Sequence, residues 1–249
     1  MGTTVEILPD GAHLAEAAAD RFMALVAVTL AQRPRADVAL AGGSTPRAMN
    51  ALLAAAPRRS EIEWDRVRFF FGDERTVPPD DAESNYRMNR ETLFEPLGIP
   101  ATHVFRMRGE DDPHAAAAAY ERILMAELGA RPHFDVLFLG MGPDGHTASL
   151  FPGTLATVDD SKVVVANRVE KFSTWRLTLT PHSINDARNI VITCGGAEKA
   201  AALHGVFDGP RDLATYPIQL VAPVDGELVW LIDEPAAAAL ERRPDSAAR

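Results

Sequence analysis

Four apolar residues, Val136, Leu137, Phe138 and Leu139, follow one another without a polar break and end at Gly140. An alternating pattern belongs to a half-buried strand, whereas an unbroken run belongs to a strand covered on both faces, as in a parallel sheet. Parallel strands need long crossover connections, usually helices, so this run commits much of the chain to alternating β and α elements. Beyond Gly140 come Gly142, Asp144, Gly145 and His146. Ligands of open α/β sheets bind outside the carboxyl ends of the strands. A carboxylate and an imidazole delivered there on a glycine-rich loop are therefore a candidate reaction centre. Taken alone, the same residues equally describe an ordinary turn, with Asp144 capping the next helix and His146 at the surface.

The rest of the chain repeats the arrangement. A short strand over 5–8 stops at Pro9, and Asp10 is the expected N-cap of a helix with Leu14, Ala17, Ala18, Phe22, Leu25 and Val28 on one stripe. A second strand over 37–41 runs into Gly42, Gly43, Ser44, Thr45 and Pro46. Pro46 suits the first helical position, with Thr45 or Ser44 as N-cap. Backbone N–H groups at such a helix start favour an anion, phosphate above all, and simple capping is the plainer alternative. Neither a Walker loop nor a G-x-G-x-x-G fingerprint is present, so nucleotide binding is not indicated. A third strand, 67–71, ends in Gly72, Asp73, Glu74 and Arg75, which read as a structural ion-pair turn or as further site chemistry. Three strands thus deliver polar groups to one edge.

Further on, Ser84 starts a helix over 85–94, residues 103–107 read as a short strand, and Asp112 and Pro113 begin a helix over 115–128. Strands are expected over 163–165, 176–180, 190–193 and 228–232, with 171–175 as a loop and a short helix over 182–187. Gly195 and Gly196 precede a helix over 197–206 with Lys199 in its first turn, where a cation opposes the helix dipole unless an anion is also there. The alanine- and arginine-rich tail over 235–249 is expected to fray. The fold expected is one α/β domain over 1–249, a mostly parallel, Rossmann-like doubly wound sheet with helices on both faces.

Charge and composition narrow the partners. The net charge of −10, with no basic cluster, argues against nucleic acid. No apolar run nears the roughly 20 residues of a membrane span, the first residues lack a signal-peptide pattern, and Glu6 breaks the myristoylation spacing. The single cysteine, Cys194, excludes an internal disulfide and fits a reducing compartment, so a cytoplasmic location is expected. An anionic substrate would need locally basic residues against this overall field.

Taken together, the motifs resemble those of the 6-phosphogluconolactonases: A-G-G-S-T-P (41–46), F-G-D-E-R (71–75), S-N-Y (84–86), G-M-G-P-D-G-H-T-A-S-L-F-P (140–152), R-L-T-L-T (176–180) and G-A-E-K (196–199). Each is weak alone, but they keep the family's order across nearly the whole chain. The wider superfamily includes glucosamine-6-phosphate deaminases, which share the D-G-H loop but continue I-A-F-N-E-P. Here the continuation is Thr147 to Pro152, with Leu150 and Phe151 around the deaminase carboxylate position.

The resemblance implies hydrolysis of 6-phospho-D-glucono-1,5-lactone to 6-phosphogluconate, with a small sugar phosphate as partner and no metal or organic cofactor. No His, Cys and carboxylate set stands at metal-ligand spacing. A monomer or weak homo-oligomer is expected. His146 is the candidate general base, since imidazole as a class titrates near pH 6.5, about where catalysis runs. Asp144 would orient the ring or favour its charged form. The resemblance implies a role for Arg75, in substrate binding and stabilisation of developing negative charge. Asp73 is expected to hold Arg75 or a sugar hydroxyl. The phosphate is expected on Gly42, Gly43, Ser44 and Thr45, with Arg176 and Lys199 supplying charge. Ser149 is the rival as a nucleophile, although no G-x-S-x-G elbow exists. Two other readings are a deaminase or related isomerase, and a sugar-phosphate sensor that binds without turnover.

Overall fold

In the computed structural model, which describes residues 2–159 and 161–241, the chain runs β1 (Thr3–Leu8), α1 (Gly11–Gln32), β2 (Ala36–Leu40), α2 (Ser44–Leu53), β3 (Val67–Phe71), β4 (Asp73–Arg75), α3 (Asn85–Asn89), α4 (Glu95–Leu97), α5 (Pro113–Leu128), β5 (Val136–Gly140), β6 (Val164–Val169), β7 (Thr174–Leu179), α6 (Pro181–Asn185), β8 (Asn189–Cys194), α7 (Ala200–Phe207), β9 (Glu227–Asp233) and α8 (Glu234–Ala237). A π-helical turn, Arg90–Phe94, joins α3 to α4. Six strands form one sheet in the order β1-β9-β8-β5-β2-β3, and every neighbouring pair is parallel. The chain builds outward from β2 to β3 on one side and from β5 to β8 and β9 on the other. The order therefore reverses between β2 and β5, where a crevice opens at the carboxyl ends.

Both faces are covered, as unbroken apolar strands demand. Phe138 of β5 stacks with Phe22 of α1, and Phe71 of β3 meets Phe94 of the π turn edge-on. On the opposite face, Phe70 stacks with Phe105 and Arg68 reaches Glu127 of α5. At the amino ends of the strands Arg68 also binds the buried Asp37 at 2.7 Å, and Asp135 accepts the Asp37 N–H at 2.9 Å. Asp10 caps α1 as expected, accepting from Ala12 N and His13 N. The buried face of α1 is Leu14, Ala15, Ala18, Ala19, Phe22 and Val26. Val28, expected on the stripe, is 58% exposed, because the packed face lies further round the helix than the apolar spacing suggests.

The main departure is a second sheet, β4-β7-β6, which is antiparallel. The sequence pattern puts residues 163–165 and 176–180 in strands of a mostly parallel sheet. Their strands, β6 and β7, are joined only by a 3₁₀ turn, Glu170–Phe172. That connection is far too short for a parallel crossover, so they form a hairpin. Gly72 hands the chain from one sheet to the other. Its N–H donates to Leu40 O of β2 at 3.0 Å, and its carbonyl accepts from Leu179 N of β7 at 2.9 Å. Residues 103–107 form no strand beyond a single bridge between Val104 and Phe69. Of the tail expected to fray, α8 begins it in helical form with Asp233 capping Ala236 N, and 242–249 lie outside the described residues.

Tyr120 of α5 fixes the end of β3. Its hydroxyl accepts from Phe71 N at 2.8 Å and faces Phe71 O at 3.3 Å, and the side chain is fully buried. Tyr120→Phe leaves a buried backbone N–H without its partner, and urea unfolding should show a loss of about 1–3 kcal/mol.

Candidate active site

The loops after β2 and β5 meet in the crevice because parallel, in-register strands end at one level. Ala41, Gly42, Gly43, Gly140, Met141, Gly142, Pro143, His146 and Ala148 line a cavity of about 270 Å³, together with Asp73 and Arg75 of β4, Asn85 of α3 and Lys199. A second hollow of about 480 Å³ adjoins it, sharing Gly43, Arg75 and Asn85 and adding Ser44 and Arg47.

His146 is held tightly. Its carbonyl accepts from Gly142 N at 2.8 Å, closing the loop on itself. A Cβ built on Gly142 would stand 2.0 Å from the imidazole, so the ring occupies the space that any side chain there would take. Gly145 takes φ +73°, a left-handed conformation suited to glycine. His146 Nδ1 bonds Asp144 Oδ1 at 2.5 Å, and Lys171 Nζ donates to Asp144 Oδ2 at 2.9 Å. Burial works to raise the Asp144 pKa, but the hydrogen bonds from His146 and Lys171 outweigh it and hold the carboxyl well below its usual range. With Nδ1 engaged by an anion, Nε2 is the ring nitrogen left for chemistry. Phe151 stacks on the ring, centroids 4.1 Å apart.

The small sheet supplies the opposite wall. Arg75 faces Arg176 in the β4–β7 ladder, a like-charge pair that is unfavourable by itself. Among the described residues neither guanidinium has a carboxylate salt-bridge partner. Arg75 donates to Glu83 O, and Arg176 lies over the Phe172 ring, 5.9 Å from its centroid. Burial, then the charge of Arg75, lowers the Arg176 pKa. The pair is suited to an anion between or before the two groups.

Asp73 does not hold Arg75. Its Oδ2 accepts from Ser149 Oγ at 2.7 Å and its Oδ1 from Asn85 Nδ2 at 3.2 Å, because α3 and the 147–150 turn close over it. Ser149 is itself 1% exposed. A hydroxyl so buried and committed to Asp73 is not available to attack a substrate, which removes it as a nucleophile. Glu74, pointing the other way, is buried, and desolvation raises its pKa against the hydrogen bonds it accepts from Tyr86, Asn85 and Arg75 N–H groups.

The start of α2 differs from expectation. Gly43, not Ser44 or Thr45, is the N-cap, and no side chain caps the helix. At φ +110° Gly43 turns the chain from strand to helix in one residue, so Ser44 and Thr45 already lie in the first turn and Pro46 comes after them. The uncapped N–H groups suit an anion. Lys199 closes a 3₁₀ turn, Ala197–Lys199, ahead of α7 rather than sitting inside an α-helix, and it lies 3.6 Å from Glu198.

Of the expected residues, Gly42, Gly43, Asp73, Arg75, His146 and Lys199 line the cavity. Asp144 stands behind His146, Ser44 lines the adjoining hollow, and Thr45 and Arg176 are outside both linings. Two residues of the site, Asn85 and Lys171, are not among the expected site residues. Asn85 stands within the S-N-Y motif, and Lys171 within a segment that reads only as loop. Among the described residues no three His, Cys, Asp or Glu groups cluster as metal ligands, and no helix is long and apolar enough to cross a membrane.

Residues 9–230 match the family described as glucosamine-6-phosphate isomerases/6-phosphogluconolactonase. A 6-phosphogluconolactonase of Nostoc is 38% identical over 246 residues, covering 96% of this chain and 99% of that protein. One from Treponema pallidum is 43% identical over 70% of this chain and 73% of its own. The solved 6-phosphogluconolactonase from Trypanosoma cruzi superposes with a TM-score of 0.87 at 30% identity, covering 97% of this chain and 98% of that one. With the crevice at the β2–β5 switch point and this similarity along almost its whole length, the chain belongs to the family of glucosamine-6-phosphate isomerases and 6-phosphogluconolactonases.

Proposed function

We propose that this protein hydrolyses 6-phospho-D-glucono-1,5-lactone to 6-phospho-D-gluconate, the second step of the oxidative pentose phosphate pathway, in the cytoplasm. The observation that carries the reading is the pairing of His146 with Asp144 through Nδ1, facing Arg75 and Lys199 across one cavity. Nε2 of His146 takes a proton from water as its oxygen adds to the lactone carbonyl carbon. Arg75 stabilises the oxyanion that forms. As the bond from that carbon to the ring oxygen breaks, the imidazolium returns its proton to the departing oxygen, which becomes the 5-hydroxyl. The new carboxyl group then ionises, so each turnover releases one proton. The 6-phosphate rests on the Gly42–Gly43 loop and the first turn of α2, with charge from Lys199 and Arg176.

A deaminase needs a carboxylate after the D-G-H loop. Here Leu150 is fully buried and Phe151 stacks on the imidazole, so that neighbourhood is apolar. Glucosamine 6-phosphate should therefore release no ammonia with this enzyme.

Proton release from freshly generated lactone, corrected for spontaneous hydrolysis, tests the reaction. His146→Ala should lower kcat by roughly 10²–10⁴, the range a general base contributes, and near-normal turnover would sink the assignment. Arg176→Ala should mainly raise KM; an unchanged KM removes Arg176 from phosphate binding. Asp144 stays ionised well below the usual carboxylate range, so its own protonation does not limit activity at moderately acid pH. Asp144→Asn removes an anion that favours the imidazolium. The acidic limb of kcat/KM should then move to lower pH while kcat falls, as steady-state pH profiles will show.

A further inference from the structure

The turn joining β6 to β7 reaches His146 from outside the large sheet. It is closed by Ser173 at φ +50°. Two adjacent residues in it act on the same ring by separate routes. Lys171 Nζ takes one oxygen of Asp144, whose other oxygen holds His146. Phe172 meets Phe151 edge-on, centroids 5.6 Å apart, and Phe151 stacks on His146. Lys171 Nζ also lies 5.4 Å from the centroid of the Phe172 ring.

As a stabiliser the ion pair is weak. The Lys171 side chain is 55% exposed, and exposed pairs contribute little to stability. Its positional effect is larger. A carboxylate held at both oxygens is less free to rotate away from the imidazole, and a misplacement of about 1 Å can cost about 10² in rate. The ammonium also draws on the charge of Asp144, so the imidazolium gains less from it than from an unpaired carboxylate.

We propose that Lys171 is a positioning residue for the hydrolysis, acting through Asp144 to set the orientation and protonation balance of His146; this rests on the lactonase reading above. The other charged groups around His146 are Asp73, Arg75 and Lys199, lining its cavity, and Arg168 and Glu170, lining a groove of about 490 Å³ beyond Asp144. Arg168 pairs with Glu170 and Lys199 with Glu198. Lys171 alone among them contacts the carboxylate that holds the ring.

Lys171→Met keeps an unbranched side chain of similar length and removes the charge. It should lower kcat roughly ten- to a hundred-fold, a part of the roughly 10²–10⁴ due to a general base, with KM near its wild-type value. The acidic limb of kcat/KM should move to higher pH, opposite to Asp144→Asn, because losing a nearby cation eases imidazole protonation. Lys171→Arg should return the limb and most of kcat, and the melting temperature should barely change in either variant. Wild-type kcat with an unmoved limb in Lys171→Met overturns the proposal. So does a rise in KM alone, which would make Lys171 a substrate ligand. NMR titration of the His146 ring in the free protein keeps two failures apart. An unmoved midpoint in Lys171→Met overturns the positioning role whatever the activity, whereas a wild-type protein that does not hydrolyse lactone overturns the lactonase reading itself.

Discussion

Parallel pairing of β2, β3, β5 and β8 is the constraint on which the site depends. In a parallel sheet all carboxyl ends lie at one edge, so every loop that leaves a strand opens on the same side. The register of these strands brings Gly42–Gly43, Gly72 and Gly140–Gly142 to nearly one level. The order of the sheet reverses between β2 and β5, so the two flanking loops diverge and leave a crevice between them. The apolar runs that make the sheet stable are thus also what assembles a polar site along its edge.

The crevice would be half a site without the second sheet. Gly72 belongs to both ladders, bonded through its N–H to β2 and through its carbonyl to β7. The next three residues continue as β4, which sets Asp73 and Arg75 opposite the imidazole loop. Asp73 then ties three elements together, accepting from Asn85 after β4 and from Ser149 after β5. Its carboxylate thus braces the wall of the cavity that it lines together with Arg75 and Lys199.

Much of this is legible in the residues. Continuous apolar runs ending in glycine mark buried strands with functional loops, and Asp10, Ser84 and Asp112 announce helix starts through their side chains. The functional candidates at strand ends come from the same logic. Relations that exist only after folding are not legible. Lys171 lies 27 residues from Asp144, and no local pattern signals a turn folding back onto a loop. Asn85 and Asp73 come together only because β4 leaves the large sheet. Gly43 displaces Ser44 and Thr45 as the cap because a glycine at positive φ needs no side-chain partner to begin a helix.

Gly142 matters for a different reason. Its backbone is not in the left-handed region, so alanine would be tolerated by the chain, yet the added methyl would overlap the imidazole. The ring would have to swing aside by about an ångström or more, since ordinary contacts of a Cβ begin near 3.4 Å, while Asp144, Arg75 and Lys199 stayed where they are. Such a protein would keep its charge and each of these side chains, and still lack the seat that the imidazole occupies. The missing side chain at position 142 is therefore what gives the imidazole its place, so a residue with no side chain shapes the crevice as much as the ring it accommodates.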